Sequence, residues 1–319
     1  MTKYRYALPQ LSGGLFLTDG GMETTLIFHD GLELPCFAAF DLLKAERGIA
    51  TLRRYYEPYA LLARAQETGF IFDSATWRAS RDWGVKLGYS AGALAAANHR
   101  SIAILAELRD VLETPRSPMV ISGAIGPRGD GYNPSRRMSA EEAETYHAEQ
   151  IATLSGTEAD MLTAYTFNYV EEAVGVARAA AAADMPVAIS FTLETDGRLP
   201  TGQALKDAIG AVDSATGAIP VYFMINCAHP SHFSGILTDE PWVKRIRGLR
   251  ANASKRSHAE LDEAKDLDAG DPAELGRDYR DLLERHPHIN VLGGCCGTDH
   301  RHVQAICRSC MPDASVRAA

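Results

Sequence analysis

The chain has 319 residues, 46% of them hydrophobic and 23% charged, with a formal net charge of -9. Charge interrupts every window long enough to cross a bilayer, which excludes a membrane span. The acidic balance excludes a nucleic-acid or anionic-membrane surface, because those partners need clustered Lys and Arg. What remains is small-molecule chemistry. The opening "MTKYRYALPQ" carries no apolar h-region, so the cytoplasm is the expected compartment. There the six cysteines read as thiols, metal ligands or buried apolar residues, since structural disulfides are kept reduced.

Eight short apolar runs recur along the chain, each followed by turn residues and then a segment with helical spacing. They are "LFLTDG" from Leu15, "FIFDSAT" from Phe70, "MVISGA" from Met119, "DMLTAYT" from Asp160, "VAISFT" from Val187, "VYFMIN" from Val221, "GLRANA" from Gly248 and "INVLGG" from Ile289. Candidate helices lie at 41–68, 91–113, 139–157, 169–184, 203–216, 239–247, 272–286 and 299–310. The fourth is alanine-rich, with high intrinsic propensity, and the last has Thr298 or Asp299 in place to cap it. Strand-like runs alternating with helices imply parallel strands joined by crossovers, and eight such units predict an α/β (β/α)8 TIM barrel, a single domain over residues 1–319. The rival, an open doubly wound sheet, lacks its signature, because the first run leads into "TDGGMET" with no G-x-G-x-x-G.

Segments 19–40, 78–90, 126–138 and 252–271 follow strands and therefore fall on the C-terminal face, where barrel enzymes build their active sites. The polar stretch "SKRSHAELDEAKDLDAGD" within the last of them reads as a solvated loop or helix, with a lid as the lesser reading.

Cysteines stand at two of the strand ends. Cys227 directly follows the sixth run, and Cys295 and Cys296 directly follow the eighth in "GGCCGT". Residues at neighbouring C-terminal strand ends point into one mouth, so three cysteines distant in sequence can converge there. Soft thiolates select zinc among common cytosolic metals, and three protein ligands leave a fourth tetrahedral position for water or substrate. Three sulfurs make a poor water-activating centre. Their better use is to bind the substrate's own sulfur as a thiolate, which fits alkyl transfer to a thiol. Buried apolar cysteines, or a redox-active disulfide between Cys295 and Cys296, are the other readings of the same residues. Cys307 and Cys310 lie along the last helix, roughly 17 Å or more from Cys296 at about 1.5 Å per residue, too far to share its metal. Cys36 has no assigned role.

"TDGGMETTL" after the first run, "INCAHP" after the sixth and "GGCCGT" after the eighth together resemble the zinc-dependent homocysteine S-methyltransferases, from Leu15 to about Ile306. That family includes betaine- and S-methylmethionine-dependent enzymes. The resemblance implies zinc held by Cys227, Cys295 and Cys296, with the acceptor thiol in the fourth position. It implies that Asp19 and Gly20 contact the amino-acid part of the acceptor, and by position Asn226 supports the metal site. One position departs. Tyr165 in "LTAYTFN" stands where the family usually carries a glutamate that grips the amino group of homocysteine. Glu194 in "SFTLETDG" is a substitute carboxylate, unless the acceptor lacks that amino group.

A sulfonium or quaternary ammonium donor calls for aromatic faces, and Trp77, Tyr165 and Phe167 follow the second and fourth runs. Arg128, Arg136 and Arg137 in the third loop are candidates for a donor carboxylate. Methylcobalamin is expected only from a separate protein, since too few residues follow the eighth unit for a cobalamin module. The expected activity is zinc-dependent methyl transfer to a thiol, with homocysteine going to methionine. The other function classes are a zinc-binding barrel acting as a thiol or metal sensor, and a vicinal-dithiol redox enzyme. The expected partners are a small-molecule donor and a thiol acceptor, with no nucleic acid and no membrane.

Overall fold

A computed structural model describes residues 2–311. The eight runs become strands β1 (Phe16–Leu17), β2 (Gly69–Asp73), β3 (Met119–Ile125), β4 (Met161–Phe167), β5 (Val187–Thr192), β6 (Tyr222–Asn226), β7 (Ile246–Ala251) and β8 (Val291–Gly294). Each pairs in parallel with the next, and β8 pairs with β1, so the sheet closes into a barrel in sequence order. Every residue of β2 through β6 is buried. Burial on both faces is why these strands read as continuous apolar runs instead of alternating ones.

The principal helices between strands run over Glu46–Ala65, Ala91–Leu112, Ala140–Ser155, Val170–Ala182, Leu205–Thr216, Pro272–Arg285 and His300–Cys310. Asp299 caps the last of them, its carboxylate accepting from the Arg301 backbone N–H at 2.9 Å. The helix expected at 239–247 does not form. Pro241–Arg245 is a 3-10 turn, and Ile246 already begins β7, two residues before the run that marked it. Five residues of β7 ladder with β6 or β8, and the first of them, Ile246 opposite Phe223, draws the last two residues of the expected helix into the sheet.

Alternate strand residues face inward. Phe16, Ile71, Val120, Met161, Ala188, Tyr222 and Val291 form one apolar cluster, separate from the larger one shared with the helices. Toward the C-terminal end the same inward rows turn polar. Ser122 meets the Thr163 hydroxyl at 2.7 Å, and Ser190 donates to Asn226 Oδ1 at 2.6 Å. The next inward positions on β2, β4 and β7 are Asp73, Tyr165 and Arg250, so the barrel floor is greasy and its mouth is charged. No helix among the described residues is long and apolar enough to cross a membrane.

Candidate active site at the barrel mouth

The three cysteines converge. The Sγ atoms of Cys227, Cys295 and Cys296 all lie within 4.8 Å of one another. Those of Cys227 and Cys295 touch, with Cα atoms 5.4 Å apart, so the closest pair is not the vicinal one. Backbone geometry sets this up. Cys227 leaves β6 with φ 53°, a left-handed conformation that a side chain adopts at a cost, and its N–H is held by Arg250 O at 3.1 Å. After β8 the chain turns at once. Cys295 N–H donates to Ala251 O at 2.8 Å, and the Thr298 hydroxyl folds back on Cys295 O at 2.7 Å. A Cβ at Gly294 would sit 2.0 Å from Thr298 Oγ1, and one at Gly21 would sit 2.4 Å from Cys295 O, so the glycines admit this approach of β1 and β8.

Three convergent thiols are a donor set that suits zinc, and the Cys227 and Cys295 sulfurs would have to part to reach the roughly 3.8 Å that a tetrahedral zinc with Zn–S bonds of about 2.3 Å sets between its ligands. Burial pushes the Cys296 thiol up to about 11, so in the bare protein it is protonated at neutral pH. Two side chains from other elements flank the sulfurs. Asn226 Nδ2 is 4.0 Å from Cys295 Sγ, and the Tyr132 hydroxyl is 3.9 Å from Cys296 Sγ. Asn226 also holds Thr166, which has φ 64°. It accepts from the Thr166 N–H at 3.0 Å and donates to its hydroxyl at 2.9 Å. One amide thus steadies a strained bulge near the end of β4 and leans on a thiol that follows β8.

Beside the sulfurs lies a charged cluster that sequence reasoning did not anticipate. Arg250 is 8% exposed and sits between two carboxylates, Asp19 at 2.6 Å and Asp73 at 2.7 Å. Its remaining donors reach Gly294 O at 2.9 Å, Gly20 O at 2.9 Å and the Tyr165 hydroxyl at 3.5 Å. Tyr165 in turn donates to Asp73 Oδ2 at 2.7 Å, and Tyr55 donates to Asp19 Oδ2 at 2.9 Å. Burial pushes the Asp19 carboxyl up to about 6 despite the pull of Arg250. The only signal in the sequence was a charge at the last inward position of "FIFD" and of "GLR", which becomes readable once strand register is known.

A cavity of about 400 Å³ opens over both clusters, lined among others by Asp19, Gly20, Trp77, Tyr165, Asn226 and the three cysteines. Trp77 Nε1 donates to Tyr165 O at 3.2 Å, tying the loop after β2 to β4. The 252–271 segment contributes Ser254, His258, Leu261 and Asp268 to the lining, so this polar stretch covers the mouth and is not wholly solvated. His258, in its short helix, stacks on Tyr132 with ring centroids 4.1 Å apart.

Other expected contributors lie elsewhere. Glu194 turns away after β5, its carbonyl accepting from Gly197, and it does not line the cavity. Phe167 points outward into the helix-packed core although it stands two residues from inward Tyr165, because the register of β4 shifts between Ala164 and Phe167, where Thr166 has φ 64°. Arg128 is paired with Asp82 at 2.7 Å, and Arg136 and Arg137 are exposed away from the mouth. Cys307 is buried in the last helix with its sulfur 3.4 Å from Met311 Sδ, and neither it nor Cys310 joins the cluster.

The fold is shared with solved structures. The crystal structure of the homocysteine methyltransferase MmuM from Escherichia coli in its oxidized form is 19% identical, with a TM-score of 0.73, covering 95% of this chain and 99% of that one. Its metallated form is 18% identical with the same TM-score, covering 96% and 99%. The family model described as homocysteine S-methyltransferase matches residues 16–310, from the first barrel strand through the last helix. On that match, the chain belongs to the homocysteine S-methyltransferase family.

Proposed function

We propose that this protein transfers a methyl group from a small sulfonium or quaternary ammonium donor to the thiol of homocysteine, with zinc held by Cys227, Cys295 and Cys296. The observation that carries the reading is the juxtaposition of three convergent sulfurs with the Asp19–Arg250–Asp73 cluster in one cavity. Zinc bound by three thiolates would supply the charge that keeps a fourth, substrate sulfur ionised near neutral pH.

The protein's own groups do the positioning. Two carboxylates against one guanidinium leave one negative charge in excess, which the ammonium of an amino-acid acceptor would balance. Tyr165 replaces the family's usual glutamate at its position, yet its hydroxyl rests on Asp73, so the carboxylate comes from β2 instead of β4. Arg250 also fixes the Gly20 and Gly294 carbonyls, holding the residues that follow β1 and β8 together beside Cys295. Trp77 and Tyr165 offer aromatic surface to the onium group of the donor. Alignment of sulfur with the methyl carbon in a half-enclosed cavity supplies the rest.

Protein purified without chelator is expected to carry about one zinc per chain, with three thiols unmasked when it is stripped. Cys227→Ser is expected to lose the metal and to lower methyl transfer by more than about a hundredfold, beyond what loss of a supporting residue costs. Retention of metal and activity together by that variant would sink the assignment. Metal binding with no turnover across a panel of onium donors and thiol acceptors would leave the sensor reading in its place.

A further inference from the structure

A second buried guanidinium lines the same cavity and, unlike Arg250, has no carboxylate. Arg78, in the loop after β2, is 7% exposed. Its guanidinium lies between two indoles, with Cζ 3.9 Å from the ring centroid of Trp77 and 3.9 Å from that of Trp83. Nη1 donates to Gly129 O at 3.0 Å, while Nε is buried with no acceptor. No ion pair to Arg78 forms among the described residues. Asp130 and Glu23 act on it only through space, and desolvation still lowers its pKa to about 10.

Packing alone does not account for this. Withdrawing a guanidinium from water is costly. The two stacked rings offset part of that cost, and the unfilled buried donor adds to it. A methionine would fill the slot between the indoles at lower cost. The sandwich does hold the planar fork in one orientation at the wall of a cavity, which is how a site for a planar anion is built.

We propose that Arg78 seats a carboxylate of the methyl donor, so that the site selects zwitterionic donors over bare cations. This rests on the methyl-transfer reading above. The acceptor's amino-acid end is already accounted for by Asp19 and Gly20 on the β1 side, whereas Arg78 is stacked on Trp77, the ring offered to the onium group. A donor with only positive charge would be repelled by Arg78. One that carries a carboxylate a few bonds from its onium centre satisfies both.

The test measures binding apart from turnover. Tert-butylacetic acid is a carboxylate whose apolar head has no methyl group to give, and the corresponding alcohol is its uncharged match. By calorimetry the full-length protein is expected to bind the acid at least roughly tenfold more tightly than the alcohol. Arg78→Met should abolish that preference and Arg78→Lys keep part of it. Equal binding of acid and alcohol, or a preference that survives in Arg78→Met, would overturn the proposal, and Arg78→Lys decides alone if the methionine variant does not fold.

In turnover, trimethylammonioacetate should outperform choline, and Arg78→Met should raise the donor KM roughly ten- to a hundredfold with the acceptor KM unchanged. A shift confined to the acceptor KM overturns the donor assignment. If no donor is turned over, methyl transfer fails as a reading, while the acid-over-alcohol preference still decides the role of Arg78.

Discussion

Two buried arginines, one at each end of the barrel, make opposite uses of their carboxylates. At the floor, Arg109 donates to Asp160 Oδ2 at 2.8 Å, and that carboxylate also accepts the backbone N–H groups of Lys3, Tyr4 and Ile121 at 2.8 to 2.9 Å. One charge meets one charge, and both oxygens are occupied. At the mouth, Arg250 faces both Asp19 and Asp73. Asp73 Oδ1 has no partner, and Asp19 Oδ1 approaches Arg250 without the alignment of a hydrogen bond. The floor pair ties the N-terminal segment under the barrel. The mouth cluster is left one positive group short, which is costly in an apo protein and useful where an ammonium is to be bound.

The sharpest break of that contrast removes the arginines. Losing one partner of a buried pair costs about 3–5 kcal/mol. Arg109→Met should fall in that range, and Arg250→Met should exceed it because two carboxylates are stranded instead of one. Urea midpoints with unchanged slopes read this directly. Equal losses would mean that the mouth carries no excess charge.

A finer cut uses the carboxylates. Asp160→Asn turns an amide toward backbone N–H donors and is expected to cost about 1.5–3 kcal/mol, the worth of hydrogen bonds to a charged group. Asp73→Asn leaves Arg250 paired one-to-one with Asp19 and is expected to stay within about 1 kcal/mol of wild type or to exceed it, while the acceptor KM rises. Asp73→Asn as destabilising as Asp160→Asn would make both clusters structural.

The smallest effect asks whether place or satisfaction decides. Asp299 lies on the mouth side, yet its carboxylate is fully used. Burial raises its pKa, but hydrogen bonds from His302 and Arg301 outweigh that and hold it well below the usual carboxylate range. A group depressed in the folded state adds stability above its unfolded pKa and loses it as pH falls, so this contribution fades below about pH 4. Asp299→Asn should cost about 1 kcal/mol at neutral pH and flatten the acid limb of the stability curve. An unchanged acid limb would refute the assignment.

Much of the site was legible before folding because it depends on strand ends alone. Cys227, Cys295 and Cys296 each directly follow a strand, and any closed parallel barrel delivers such residues to one mouth, whatever its exact register. Asn226, next to Cys227, came with them. Glu194 and Phe167 misled for the complementary reason. Glu194 entered a turn that bends away, and Phe167, two positions along from Tyr165, is turned to the other face by the bulge between Ala164 and Phe167, which periodicity does not announce.

The order of elements and the barrel class follow from composition and periodicity, which are local properties of the chain and survive errors of a residue or two at each boundary. The helix expected at 239–247 shows their limit, since Pro241–Arg245 forms only a 3-10 turn and β7 takes the last two of those residues into the sheet. Only the tertiary structure could bring Asp73, Tyr165 and Arg250 together, or slot Arg78 between Trp77 and Trp83. Those contacts join residues as far as 177 positions apart, and they depend on inward register and loop path, where a shift of a single residue turns a side chain to the opposite face.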